Sequence, residues 1–367
     1  MRVPQFMPYV DMKDYEALKE SFENNWITEG PKSKQFEENL RSIVNTSYGS
    51  FSPNGTLALY LALRALDIKE GDEVIVPNFT FIATANAVEM VGATPVFADI
   101  DLSNLQIDVD ACNELITEKT KAIMPAHLYG FCVDLTRVRK FADKYGIYLI
   151  EDAAQSLGIK WQDIPCGSVG DISCFSFFAD KTITTGEGGF VTTNNEQLAE
   201  RLLYLRNQGR IDRGSFVHPE IGYNFRMTDI QASLGLSQLN KFDEIVDLKR
   251  SVHKLYSDML QDNDHVSIIQ PDVNITSFIP FRVVLMVEEK SSEDLMKFMS
   301  SRDIEPRTFF YPLHLQPCFR KYMEYNISNS FDRSIEAYHK GVCLPSYASM
   351  SHDQVSYVCD TINQYYS

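Results

Sequence analysis

Between residues 73 and 193, short apolar runs rich in β-branched side chains recur at 73–77, 94–100, 121–126, 148–152, 173–178 and 189–193. Each is strand-length, and turn residues flank several of them, so each predicts a strand. Helical periodicity fills several of the gaps. Residues 56–66 are apolar nearly all round, which suits a buried helix, whereas 135–145 and 196–207 are amphipathic. Strands alternating with helices predict an α/β fold, a mostly parallel sheet with helices on both faces.

From residue 228 to about 261 the pattern is continuously helical and predicts one connector leaving this first unit. The remainder reads as a smaller α+β unit. Its pieces are a strand at 280–287, a helix at 292–301, an irregular stretch at 306–317, and helices at 331–340 and 352–365. A chain of 367 residues with 44% hydrophobic content has material for one large domain plus a smaller one. The expected division is a large domain over 1–240 and a small C-terminal domain over 241–367.

The formal net charge of −16 repels polyanions and acidic membranes at long range, which disfavours nucleic-acid and membrane partners. The first residues, MRVPQFMPYVDMKDYE, lack a basic start followed by an apolar run, and no other apolar stretch is long enough to span a bilayer. A cytoplasmic location is therefore expected. The seven cysteines have no CxxC or CxxH spacing and are odd in number, which argues against a disulfide framework and a zinc site. Most should be small buried hydrophobes. His218, His253, His265, His339 and His352 also lack metal spacing and are expected on surfaces.

Four features of the first unit fall at the carboxyl ends of strands, where α/β sheets place ligands. Asn54-Gly55-Thr56 stands directly before the buried helix and offers backbone N–H groups, a hydroxyl and a helix dipole to an anion, or is simply an Asn/Gly turn. IEDAAQ ends a strand with Glu151, Asp152 and then Gln155; the carboxylate either caps a following helix or holds a pyridinium nitrogen protonated. FSFFADKTITTGEGG carries Ser176 and Lys181 between an aromatic strand and a glycine turn, a low-dielectric setting in which a lysine becomes a nucleophile. Phe81, just past a strand end, either stacks on a flat ring or belongs to the core. His127, in PAHLYG, reads as a packed strand-end histidine or as an acid near the same pocket, and Arg206, Arg210 and Arg213 as a solvated turn or a pyrophosphate clamp.

These segments carry a resemblance. WITEGP, NGT, GDEVIVPNFTFIATANAV, KAIMPAHLYG, IEDAAQSLG, FSFFADKTITTGEGG, IGYNFRMTDIQA and FYPLH occur in the order seen in the DegT/DnrJ/EryC1/StrS sugar aminotransferases, from about Trp26 to the C-terminus. Within that family the chain looks most like the perosamine synthases, which aminate C4 of a GDP-linked 4-keto-6-deoxymannose. The resemblance implies an aminotransferase fold of type I, a homodimer with composite active sites, and pyridoxal 5′-phosphate (PLP) as cofactor, with no metal. It implies Lys181 as the residue that carries PLP as a Schiff base, Asp152 as the partner of the pyridine nitrogen and Gln155 as a neighbour of the ring hydroxyl. Gly55, Thr56 and Ser176 would bind the phosphate and Phe81 would cover one ring face. Asn224 would reach the phosphate in the other subunit, and Thr28, Arg307, Tyr311 and His314 would line the sugar and nucleotide pocket.

Two positions depart from the family pattern. Pro53 replaces a small residue before Asn54 and removes a backbone donor. Asp180 replaces the asparagine usual before the lysine, and is expected to point away from the Lys181 amine, because facing it would favour the charged form. The implied reaction is ping-pong: L-glutamate gives its nitrogen to PLP, which then aminates a nucleotide-linked keto-sugar. The rivals are amination at C3, a PLP-dependent sugar dehydratase, which carries histidine at the lysine position, and a non-catalytic binding protein that keeps the fold.

Overall fold

A computed structural model of the chain describes residues 1–211, 214, 216–288, 291–326 and 330–367, with the backbone alone for 323–326. In chain order its strands are β1 (Tyr48–Ser52), β2 (Glu73–Pro77), β3 (Thr94–Ala98), β4 (Thr120–Ile123), β5 (Tyr148–Asp152), the short β6 (Lys160–Trp161) and β7 (Ile164–Pro165), β8 (Ile172–Ser176), β9 (Gly189–Thr193), β10 (Val266–Ile268), β11 (Val283–Val287), β12 (Arg307–Thr308) and β13 (Gly341–Leu344). Seven of them form one sheet in the order β1-β9-β8-β5-β4-β2-β3. β9 runs antiparallel to both neighbours, and the remaining neighbours pair in parallel. The expected mostly parallel α/β sheet is thus present.

Both faces of this sheet are covered, so β2 and β9 are buried along their whole length rather than at alternate residues. Val74 and Val76 of β2 join the cluster that packs the helix Gly55–Ala65, while Ile75 between them joins the opposite cluster, with Val138 and Phe141 of the helix Leu135–Tyr145. That second helix starts where the Asp134 side chain accepts the Arg137 amide and stops at Gly146, whose φ of 63° is left-handed.

The connector differs from the sequence reading. It is two helices, Asp229–Leu239 and Phe242–Leu260, broken at Asn240 and Lys241. The break has a tertiary cause that periodicity does not register. The Lys241 ammonium, 5% exposed, is pulled onto Asp14 at 2.7 Å and Asp11 at 3.2 Å, at the start of the helix Met12–Glu23 that packs against Asp229–Leu239.

The smaller unit is an antiparallel sheet in the order β10-β11-β13-β12. Its core joins Val283, Leu285 and Val287 of β11 to Leu295, Val355, Ile362 and Tyr256 of the surrounding helices. Val3 pairs with Ile304 and enters the same core, so the chain begins beside its last third.

His218, His339 and His352 are exposed and His265 is half-buried, but His253 is only 7% exposed. It stands edge-on to Phe278 at 4.8 Å with no hydrogen-bond partner for Nε2, and burial pushes its pKa down to about 4. Below pH 6.5 the unfolded chain takes a proton that the folded site refuses. Stability is therefore present above 6.5 and lost as pH falls toward 4, by about 3 kcal/mol in all. H253F should flatten that part of the acid limb in urea denaturation; parallel pH profiles for wild type and variant would contradict this.

Candidate active site

The ends of β5 and β8 and the start of the helix Gly55–Ala65 meet at one cavity of about 440 Å³. Its opposite wall comes from the smaller unit, through Phe281, Arg282, Arg307, Thr308 and Cys343. A cleft between two such units, at strand carboxyl ends, is where an α/β protein places a ligand.

At the helix start, the Asn54 side chain accepts the Leu57 amide at 2.9 Å and fixes the first turn, while the amides of Gly55 and Thr56 have no acceptor within the helix. Ser176, at the end of β8, comes from 120 residues later in the chain to the same spot. A Cβ on Gly55 would lie 2.8 Å from the Ser176 Cβ, so only glycine admits this approach. The result is a pocket of N–H groups and hydroxyls at the positive end of a helix, suited to a phosphate.

Asp152 closes β5, 7% exposed. No helix follows it, so the capping role does not arise. Its Oδ2 accepts the Thr84 hydroxyl at 2.7 Å and its Oδ1 the Ala154 amide at 3.3 Å. Burial raises the Asp152 pKa, and the Thr84 hydrogen bond works the other way. Gln155 accepts the Tyr129 amide at 2.7 Å through Oε1, which leaves its amide nitrogen as a donor. Phe81 is 56% exposed at the rim, edge-on to Phe310 at 6.3 Å, and is not a core residue.

Lys181 follows β8 and lines the cavity, its side chain 15% exposed, with Nζ 4.5 Å over the Phe281 ring. Burial lowers its pKa, opposed by Asp180 and assisted by Arg282. The expectation that Asp180 points away is corrected here. Its Oδ1 lies 3.7 Å from Nζ, because Oδ2 is drawn into the cavity wall by the Arg282 guanidinium at 2.5 Å. Arg282 was not singled out from the sequence, although an arginine heading the apolar run FRVVLMV is a signal of a buried charge. Thr84 and Tyr129 were missed as well and gave no signal of their own.

Of the residues implied for the sugar and nucleotide, Arg307 lines the cavity and three do not. Thr28 lies in a separate groove of about 710 Å³ with Arg206, Arg210 and Arg226. Tyr311 stands edge-on to Tyr338 at 5.0 Å, and His314 is buried, its Nδ1 3.0 Å from Asn78 Oδ1 and its ring stacked on Phe331. Asn224 is exposed outside the cavity, accepts the Arg226 Nε–H at 2.9 Å and bridges to Asn207. Arg213 lies outside the described residues.

Folding also brings together His127, Cys132 and Cys166, with ligand atoms within 4.8 Å of one another, a cluster that spacing along the chain does not reveal. Both His127 ring nitrogens are already engaged. Nε2 is 3.0 Å from Glu151 Oε2 and Nδ1 accepts the Val133 amide at 3.3 Å. Glu151 accepts in addition the amides of Gly167, Val169 and Gly170 and the Ser173 hydroxyl. This buried network fixes the strand end that presents Asp152.

A model of the DegT/DnrJ/EryC1/StrS aminotransferase family matches residues 8–363. The chain belongs to this family. It is 38% identical to a GDP-perosamine synthase of Escherichia coli O157:H7 over 367 residues, covering 100% of this chain and 99% of that protein. A GDP-perosamine synthase of Vibrio cholerae is 35% identical over 370 residues, with 100% and 99% covered. Among solved structures, the "putative sugar aminotransferase Spr1654" of Streptococcus pneumoniae in its PMP form superposes with a TM-score of 0.92 at 27% identity, covering 99% of this chain and 97% of that one. The chain is accordingly a PLP-dependent sugar aminotransferase with the type I fold.

The residues present fit that cofactor. A flat ring with a basic nitrogen, a hydroxyl, a carbonyl carbon and a phosphate needs a carboxylate, a donor, an amine of lowered basicity and an anion cradle around one cavity. Asp152, Gln155, Lys181 and the Gly55, Thr56 and Ser176 cradle stand in that relation.

Proposed function

We propose that this aminotransferase converts a GDP-linked 4-keto-6-deoxyhexose to its 4-amino sugar, with L-glutamate as amino donor, in the cytoplasm. The observation that carries the chemistry is a single cavity holding Lys181, Asp152 and an anion cradle. The names of the two GDP-perosamine synthases that span the chain support the choice of substrate. No helix among the described residues is long and apolar enough to cross a membrane.

PLP supplies an electron sink for the carbon that bears the transferred nitrogen. Asp152 is the carboxylate that keeps a proton on the ring nitrogen, which sustains that sink. Gln155 donates from its amide to the ring oxygen, and Gly55, Thr56 and Ser176 fix the phosphate. Lys181 would have two roles: it would hold the cofactor at rest, and once free its Nζ would be the group that takes up and returns the proton at the carbon bearing the transferred nitrogen. A lysine here completes amino transfer, whereas the dehydratases carry histidine.

The active site is read as composite. Asn224 and Thr28 lie outside the chain's own cavity, and large apolar side chains near them in sequence are open, with Trp26 50%, Phe216 84% and Ile221 79% exposed. Open apolar side chains of this kind suit a second copy of the chain, which would bring Asn224 to the partner's phosphate site. Arg307, and less directly Tyr311 and His314, are assigned to the sugar and nucleotide side.

Incubating the loaded enzyme with L-glutamate and a panel of GDP-, UDP- and dTDP-linked keto-sugars, with product mass as readout, tests the substrate. Turnover of the GDP-linked 4-keto sugar is expected. Turnover of a 3-keto sugar alone, or of UDP- or dTDP-linked sugars alone, would overturn the assignment.

A further inference from the structure

Arg282 is only 5% exposed, immediately before β11, and its guanidinium makes three contacts that define its place. One nitrogen donates to Asp180 Oδ2 at 2.5 Å, another to the Phe281 carbonyl at 3.4 Å, and the guanidinium carbon lies 4.3 Å from the Phe281 ring centre. Asp180 therefore has one oxygen committed. Its other oxygen, Oδ1, is buried, has no hydrogen-bond partner and lies 3.7 Å from the Lys181 amine. An unpartnered buried carboxylate oxygen is costly unless some state of the molecule uses it.

We propose that Asp180 and Arg282 form one positioning unit for Lys181, in which Arg282 offsets the carboxylate charge and leaves Oδ1 to seat the released ammonium without locking a proton there. The inference rests on the reading of Lys181 as the residue that holds the cofactor and moves the proton. A lone carboxylate at this distance would hold the amine charged and slow its attack; a lone guanidinium would drive the proton off and weaken it as a base. The pair presents both charges at once, so Nζ passes between its two forms at little cost. The other charged or titratable groups around it are Asp152 from β5, His127, Glu187 and Arg307 on the cavity wall, and Lys249 from the helix Phe242–Leu260, whose Nζ donates to the Pro280 carbonyl at 3.2 Å. None of these changes in the variants below.

The full chain loaded with PLP reports the proton on the Lys181 nitrogen through the pH midpoint of its visible absorption band. R282Q leaves Asp180 unopposed and should raise that midpoint by about one pH unit or more; D180N leaves Arg282 unopposed and should lower it by about as much. The double variant D180N/R282Q should return to within about half a unit of wild type, and R282K should stay there too. Shifts in one direction, or none, would overturn the proposal, since loss of packing alone gives no opposed signs and no reversion. If R282Q fails to fold, D180N decides: a lowered midpoint supports the unit, and an unchanged or raised one refutes it. A wild-type protein whose bound PLP keeps the spectrum of the free aldehyde would instead refute the reading of Lys181 itself, which keeps the two failures distinct.

Discussion

Lys181→Ala should give a protein in which PLP keeps the spectrum of its free aldehyde, without the band of a lysine-bound cofactor, and which turns over the keto-sugar at least about 10³-fold more slowly than wild type. The size of the effect follows from the double duty assigned to Nζ, since the covalent hold and the proton transfer are lost together. The fold should survive. The side chain has no helix or strand to support, and burial depresses its pKa, so the charged amine is a cost to the folded state at neutral pH. The sign is that of a lysine whose folded pKa lies below its unfolded value: the unfolded chain binds the proton more tightly, and removing the amine cannot lower stability through this route. Melting no lower than wild type, combined with the loss of turnover, would separate a chemical role from a structural one. Full turnover in this variant would contradict the role given to Lys181.

Asp152→Asn should lower turnover by about 10²- to 10³-fold while the cofactor still binds. Asparagine is nearly isosteric, and its Oδ1 can still accept the Thr84 hydroxyl that now reaches Asp152 at 2.7 Å. What disappears is the charge that keeps the ring nitrogen protonated. Burial raises the Asp152 pKa in the protein alone, so its ionised form costs stability above the unfolded value and the neutral amide removes that cost. The cofactor-free variant should therefore melt no earlier than wild type. Unchanged steady-state turnover would mean that Asp152 is a structural residue at a strand end.

The large sheet was legible because it is buried on both faces: β2 reads as the unbroken run EVIVP and β9 as GFVTT. β1, with the sequence YGSFS, was not foreseen, since two of its three buried residues are serines and their burial depends on pairing with β9. The break at Asn240 and Lys241 was hidden for a similar reason: its cause is a pair of aspartates more than 200 residues earlier. At the site, Asn54 to Thr56, Asp152, Ser176 and Lys181 were readable from residue types at strand and helix ends. Arg282 and the true orientation of Asp180 were not, because an ion pair between residues 102 apart leaves no local pattern. Neither Thr28 nor Asn224 reaches the cavity of its own chain, so the roles proposed for them rest on the proposed second copy of the chain.

The most direct measurement is reduction of the PLP-loaded enzyme with borohydride, followed by proteolysis and mass spectrometry of the peptides. The account predicts a single phosphopyridoxyl group, located on Lys181 within the peptide spanning FSFFADKTITTGEGG. A label on another lysine, or none at all after the protein has bound PLP, would contradict it.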